Sequence, residues 1–163
     1  MVDKDYIKNK KVILEQQLKR GMTKANISMN KLYFISTSGD LKKLSPRVPK
    51  NFFTENGFED DEIKRVCFAN SVDKCLMALS MNCTDKEFYV YQPKNKHIVY
   101  KPSTQLVPDA NVTGEHWIIE PVELVCIGKI RCTGDAGKDG IQFKYGPHTA
   151  ELYEWNFEWV NKK

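Results

Sequence analysis

The carboxyl-terminal segment of the chain alternates aromatic and polar side chains over residues 153–159. Its aromatic positions are Tyr153, Trp155, Phe157 and Trp159. The residues between them are Glu154, Asn156 and Glu158. Successive side chains of a strand point to opposite faces of a sheet, so this pattern predicts a strand with one apolar face. Such a strand must bury that face against another layer, which requires a sheet packed on a hydrophobic core.

Shorter apolar segments predict the other strands. They lie at residues 32–36, 65–69, 87–91, 97–100, 116–119, 122–132 and 141–145. Prolines and turn residues separate several of these segments, as expected for strands joined by loops. The glycine-rich residues 134–140 contain acids and open no helix, so they predict a hairpin turn rather than a phosphate-binding loop.

One helix is predicted inside this series of strands. Ser71 is a good amino-terminal cap, and the apolar residues after it have helical spacing. These residues are Val72, Cys75, Leu76 and Leu79. The order of helix, strand, loop, strand, helix and then several strands predicts an α+β domain with a mostly antiparallel sheet.

The start of the chain predicts a second helix, over residues 3–20. Its apolar stripe consists of Ile7, Leu14, Leu18 and Met22. Gly21 is a plausible stop for this helix. We therefore divide the chain into a basic helical extension, residues 1–30, and a single α+β domain, residues 31–163.

The charge of the chain is unevenly distributed. Residues 1–50 carry a net charge of +8 and residues 51–163 one of −4, which sum to the stated +4. A basic first third favours an anionic partner, such as nucleic acid or an acidic protein surface. A solvated lysine-rich helix has the same composition, and the sequence leaves both interpretations open.

The cysteines and the apolar segments predict a soluble cytoplasmic protein. The five cysteines are Cys67, Cys75, Cys83, Cys126 and Cys132. Their number is odd and no two have CxxC spacing, so we expect reduced and mostly buried thiols and no metal site. The first residues are charged rather than apolar, which predicts no secretory signal. The longest uncharged apolar segment is far too short to span a bilayer.

Two segments carry unusual combinations of functional groups. Residues 43–49 hold Arg47 in a frame of two prolines, and a rigid arginine suits bidentate recognition of phosphate or carboxylate. Residues 108–117 place Glu115, His116 and Trp117 side by side where a loop enters a strand. A surface turn around Arg47 and a structural turn around Trp117 remain the alternative interpretations.

Four segments together resemble ADP-ribosyltransferase-like domains. Residues 32–36, Leu-Tyr-Phe-Ile-Ser, resemble the first strand of that family, and residues 66–75 are similar to its second signature, a strand followed by a helix. Residues 88–93, Phe-Tyr-Val-Tyr-Gln-Pro, and residues 117–125 resemble later strands of the rifampin ADP-ribosyltransferase group. The resemblance covers residues 32–130 in order.

The resemblance implies a split antiparallel sheet around a cleft that holds NAD as co-substrate. In this family a carboxylate stabilises the ribose cation that forms as nicotinamide leaves, much as in glycoside cleavage. The resemblance assigns Glu115 and His116 to catalysis. The cofactor-binding positions that it implies are Tyr33, Phe34, Ser36, Arg47, Phe68 and Ser71.

One of these positions departs from the family pattern. The family usually has His where this chain has Phe34, and a phenyl ring cannot donate a hydrogen bond to ribose. Two functions therefore remain open. One is an NAD-dependent ADP-ribosyltransferase that modifies a protein, nucleic acid or small molecule. The other is a catalytically inactive interaction protein on the same fold, a small phage-type or mobile-element inhibitor or regulator that binds an anionic partner.

Overall fold

A computed structural model describes residues 4–19, 21–79 and 81–163, which contain four α-helices, one short 3₁₀-helix (Met29–Lys31) and eleven strands. The helices are α1 (Lys4–Lys19), α2 (Phe52–Glu55), α3 (Val72–Met77) and α4 (Ala110–Thr113). The first strands are β1 (Thr23–Ala25), β2 (Phe34–Ser36), β3 (Lys43–Leu44), β4 (Val66–Ala69), β5 (Glu87–Pro93) and β6 (Val99–Lys101). The later strands are β7 (Glu115–Ile118), β8 (Val122–Asp135), β9 (Ile141–Tyr145), β10 (His148–Leu152) and β11 (Trp155–Lys162).

The strands form two larger sheets and one hairpin. A four-stranded sheet has the order β1-β6-β7-β4, and a five-stranded sheet has the order β11-β8-β5-β2 with β3 paired to the start of β8. Strands β9 and β10 pair only with each other in the described residues. Every strand pairing in the described ranges is antiparallel. The chain is therefore an α+β protein with mostly antiparallel sheets, which confirms the predicted fold class at that level.

The aromatic alternation at the end of the chain forms strand β11. Trp155, Phe157 and Trp159 are half-buried and pack on the hydrophobic cluster beneath α3, as the alternation predicts. The strand begins two residues later than the pattern suggested, because Tyr153 lies outside it and is 46% exposed. Bulges interrupt its pairing with β8 on either side of Phe157 and Trp159, and they bend the ribbon without reversing its aromatic face.

The glycine-rich residues 134–140 do not form the predicted hairpin turn. Strand β8 continues through Asp135 and takes β11 as its partner, so the segment only leads from one sheet into the β9–β10 hairpin. The tight turn lies instead at Gly146 and Pro147, where Gly146 has a φ of +57°. The prediction was wrong because turn composition does not reveal which strand a long strand will pair with.

Helix α3 follows the predicted pattern closely. The Ser71 hydroxyl accepts a hydrogen bond from the Lys74 amide and caps the first turn. Val72, Cys75 and Leu76 are buried, whereas Leu79 lies past the end of the helix and is half-buried. The helix thus closes one side of the core that supports the five-stranded sheet.

Truncating Leu76 should measure how much this stripe contributes to stability. Leu76 is fully buried in a cluster with Phe88, Val90 and Ile130. We expect Leu76→Ala to lower the free energy of unfolding by about 2–5 kcal/mol, because the site loses apolar contacts and retains a cavity. Urea denaturation measures the change. Leu18→Ala is the matched control, since Leu18 is also helical but 38% exposed. If Leu76→Ala lowers the free energy of unfolding no more than Leu18→Ala does, Leu76 does not belong to a buried stripe of α3.

The amino-terminal helix contacts the rest of the chain. Ile13 and Leu14 pack against the cluster that contains Met22 and Trp117, and β1 pairs with β6 in the four-stranded sheet. Leu18, predicted on the buried stripe, is 38% exposed, whereas Met22 on the same predicted stripe is buried. Residues 3 and 20, the predicted ends of the helix, and the side chain of Ile7 lie outside the described residues. Within the part that the structure describes, no helix has the length and apolar content needed to cross a membrane.

Candidate functional site

A cleft of about 720 Å³ opens between the two larger sheets. Residues 65–69 line it consecutively. Because neighbouring side chains of a strand point to opposite faces, a run of this kind means that the cleft follows an edge of β4. The cleft is also lined by the start of β2, by the loop that carries α2 and, at one end, by Asp109, Thr113 and Glu115. The volume is in the range of ordinary small-molecule sites.

The segments that resemble the first two family signatures meet at this cleft. Tyr33 and Ala69 exchange two backbone hydrogen bonds, with N···O distances of 2.8 and 3.0 Å. This bridge joins the residue before β2 to the end of β4, although the two strands belong to different sheets. Tyr33, Phe34 and Phe68 line the cleft, and the rings of Phe34 and Phe68 meet edge to face at 6.3 Å. The junction between the sheets is therefore also an aromatic wall of the cleft.

Glu115 is held in a fixed orientation at the end of the cleft. Its Oε1 accepts hydrogen bonds from Trp117 Nε1 at 2.7 Å and from Cys67 Sγ at 3.3 Å. Burial raises the pKa of Glu115, and the charge of Glu59 raises it further, while the hydrogen bond from Trp117 and the nearby Arg65 act in the opposite direction. The carboxyl group is thus positioned by the fold before any ligand arrives.

The turn before Glu115 requires glycine. Gly114 ends α4 with a φ of +61°, a conformation that side chains with a Cβ rarely adopt. A Cβ at this position would lie 2.3 Å from Oδ1 of Asn70. Backbone conformation and close packing therefore both select glycine here, and this turn directs Glu115 into the cleft.

Asp109 lies at the other end of the same short helix. It precedes α4 in the capping position, but its side chain makes no capping hydrogen bond. Burial raises the pKa of Asp109 to about 7, with further contributions from the charges of Glu115 and Glu59. The sequence analysis did not single out Asp109, although it lies within the unusual segment of residues 108–117.

Arg65, Glu59 and Asp60 form a buried ion cluster near Glu115 and Asp109. Arg65 NH2 contacts Glu59 Oε1 at 2.9 Å, and Arg65 NH1 contacts Asp60 Oδ2 at 3.3 Å. NH1 also donates to the backbone carbonyls of Asp60 and Ile63. The guanidinium carbon lies 4.2 Å from the centre of the Trp117 ring. The sequence pattern did not single out Glu59, Asp60 or Arg65, because only the fold brings the three side chains together.

The structure brings most of the predicted site residues to the cleft. Those that line it are Tyr33, Phe34, Arg47, Phe68 and Glu115. Arg47 is exposed, and its backbone pairs with that of Arg65 through two hydrogen bonds of 3.0 Å. Lys50 is a second exposed cation on the same side. The cleft is therefore cationic along one side and acidic at one end.

Three predicted site residues do not line the cleft. The Ser36 hydroxyl accepts from the Ser38 amide at 3.1 Å, and the Ser71 hydroxyl caps α3. His116 is buried on the face of β7 opposite to Glu115, and its Nδ1 lies 2.7 Å from the Gly114 carbonyl. Burial lowers the pKa of His116. In this structure the three side chains form hydrogen bonds with nearby backbone groups.

Comparisons of the chain with protein-family models, with curated proteins and with solved structures found no match. Among the described residues, no group of three or more His, Cys, Asp or Glu side chains is arranged to hold a metal ion. The candidate site is therefore defined by the cleft, its aromatic wall and its charged groups.

Proposed function

We propose that the chain is an NAD-dependent, ADP-ribosyltransferase-like enzyme and that the cleft is its NAD site. The observation that carries the proposal is the combination of groups on one cleft: exposed cations, aromatic rings and an oriented carboxyl group. Arg47 and Lys50 suit the pyrophosphate of a dinucleotide, because guanidinium and ammonium groups bind phosphate oxygens well. Tyr33 and Phe34, which are half-buried and line the cleft, offer ring faces and edges to the flat bases of the same ligand.

Glu115 is the residue that would act on the reacting bond. Departure of nicotinamide leaves positive charge on the ribose, and a carboxylate placed beside that charge stabilises the transition state more than the ground state. Trp117 and Cys67 hold the carboxyl group through Oε1, so little reorganisation is needed during the reaction. The surrounding burial strengthens the electrostatic interaction because water is largely excluded.

The experiment that tests this proposal is NAD binding and cleavage by the purified protein. We expect isothermal titration with NAD to show saturable binding, and chromatography to show release of nicotinamide. Arg47→Gln should weaken NAD binding and reduce its dependence on salt, since one phosphate contact is removed. Arg131→Gln is the control, because Arg131 is an exposed arginine that pairs with Glu158 and is not among the residues that line the cleft. Absence of both binding and cleavage at millimolar NAD would reject the proposal.

Phe34 favours the second candidate, a non-catalytic interaction protein on the same fold. A phenyl ring occupies the place of the usual first-strand His, so one hydrogen-bond donor toward the ribose is missing. On this alternative the exposed Lys11 and Lys19 of α1 contribute to the contact with an anionic partner. The same titration separates the two candidates, because only the enzyme binds and cleaves NAD.

A further inference from the structure

Residues 41–54 form a cationic segment that runs along the cleft and into helix α2. The segment contains four cationic side chains and no acid. The cations are Lys42, Lys43, Arg47 and Lys50, and all four are exposed. None of them forms an ion pair within the part of the chain that the structure describes. Unpaired cations close together on one segment attract a ligand that carries several negative charges.

Two acids lie near this segment without neutralising it. Asp40 precedes Lys42, whose charge acts on it. Glu123 lies opposite Lys43 in the pairing of β3 with β8, but its Oε2 accepts a hydrogen bond from Asn95 Nδ2 at 3.1 Å. The four cations outnumber these two acids, so the surface keeps a positive charge.

The backbone of the segment is fixed in an extended form. Strand β3 pairs with the start of β8, and Arg47 exchanges two backbone hydrogen bonds of 3.0 Å with Arg65. Lys43, Ser45 and Arg47 are exposed, and the residues between them are half-buried. Alternate side chains of an extended chain follow one another about every 6–7 Å. This repeat is close to the distance between neighbouring phosphates in an extended nucleic acid strand.

An exposed aromatic ring follows the cations along the chain. Phe52 begins α2, lines the cleft and is 57% exposed. Its ring makes edge-to-face contacts with Phe53 and Tyr145, with centroid distances of 5.8 and 6.0 Å. These contacts orient the ring before any ligand arrives, so little conformational entropy is lost when a flat group stacks on it.

We propose that residues 42–52 bind single-stranded nucleic acid, with phosphates along the cations and a base stacked on Phe52. Proteins that bind single strands without sequence preference combine a basic groove with aromatic side chains in this way. An acidic peptide matches the cations but offers no flat base to the ring, and a duplex keeps its base faces stacked on one another. This binding goes beyond the proposed function and does not depend on it, since Lys42, Lys43 and Phe52 have no part in the proposed NAD contacts.

The cations are tested by fluorescence anisotropy of the full chain with a labelled oligothymidylate of about 12 nucleotides. We expect saturable binding that weakens as salt is added. Lys42→Gln combined with Lys43→Gln should lower the slope of log affinity against log salt by roughly 1.4, because each lost phosphate contact removes about 0.7. The control combines Lys86→Gln with Lys163→Gln, at two exposed lysines that do not line the cleft. It should keep the wild-type slope.

The aromatic ring is tested by Phe52→Ala with the same oligothymidylate. Binding should weaken roughly ten- to a hundredfold, the range expected for the loss of one stacked base. Phe52→Trp should retain binding, and inorganic polyphosphate, which has no bases, should bind Phe52→Ala as tightly as the wild type. Tyr153→Ala is the matched control, because Tyr153 is 46% exposed and does not line the cleft. Thermal unfolding checks that each variant is folded.

Three results would overturn the inference. The first is the absence of saturable binding, and the second is an equal change of salt slope in the two lysine pairs. The third is a duplex or an oligoglutamate of the same length that binds as tightly as the oligothymidylate, which would indicate a general polyanion surface or an acidic protein partner. A chain that binds oligothymidylate as expected but neither binds nor cleaves NAD supports this inference and rejects the proposed function.

Discussion

Arg65→Ala should lower the free energy of unfolding by about 3–5 kcal/mol, the range typical of breaking one side of a buried ion pair. The substitution removes the Arg65 guanidinium from contact with Glu59 and Asp60, whose side chains have almost no access to water. It also removes the side chain stacked on Trp117. Since whole domains are stable by only about 5–15 kcal/mol, much of the protein should be unfolded at 37 °C. Urea denaturation followed by tryptophan fluorescence measures the loss.

An exposed arginine gives the matched control for this prediction. Arg131 contacts Glu158 at 2.6 Å, but both side chains are about half exposed. Arg131→Ala should cost less than about 1 kcal/mol, because water screens the pair. Adding Glu59→Gln to Arg65→Ala should recover part of the lost unfolding free energy, because the buried Glu59 carboxylate is then replaced by a neutral amide. Equal losses of unfolding free energy for Arg65→Ala and Arg131→Ala would contradict a stabilising role of the buried ion cluster.

Glu115→Gln should reduce NAD turnover by about a hundredfold or more while NAD binding changes little. The expected loss corresponds to removing one electrostatic stabiliser that acts mainly in the transition state. A glutamine Oε1 can still accept from Trp117 and Cys67, so the shape of the site is retained. Steady-state kinetics of nicotinamide release, with NAD affinity measured separately, divides the effect between kcat and binding.

The stability of Glu115→Gln shows whether a loss of turnover could arise from misfolding. Because burial and Glu59 raise the pKa of Glu115, its charged form is disfavoured in the folded state, and its contribution to stability falls as pH rises. The variant should therefore be at least as stable as the wild type at pH 8. Glu158→Gln, at an exposed position on β11, should leave turnover unchanged. A stable, fully active Glu115→Gln would show that the carboxylate takes no part in the reaction.

Local regularities of the sequence predicted several elements well. The spacing after Ser71 predicted the capped helix α3, and the aromatic alternation predicted the half-buried face of β11. Strand β9 has the predicted bounds. Each of these follows from geometry that repeats within a few residues, with a period of 3.6 in a helix and 2 in a strand.

Short elements without such regularity were missed. Strand β10, His148–Leu152, has no alternation of apolar residues, and it is a strand because the turn at Gly146 folds it back onto β9. Strand β3 has two residues and exists through its pairing with β8. Helix α1 was predicted, but which of its residues would be buried depended on where the four-stranded sheet lay.

At the candidate site, some residues could be predicted from local sequence and others were revealed only by the folded structure. The sequence by itself indicated Glu115, Arg47, Tyr33 and Phe68, each within a recognisable local segment. Only the tertiary structure brought Arg65 onto Trp117, and only burial in the folded protein, together with the charges of Glu115 and Glu59, raises the pKa of Asp109. Secondary structure follows from near neighbours along the chain, whereas burial and the field of distant charges are set by segments that meet only in the folded protein.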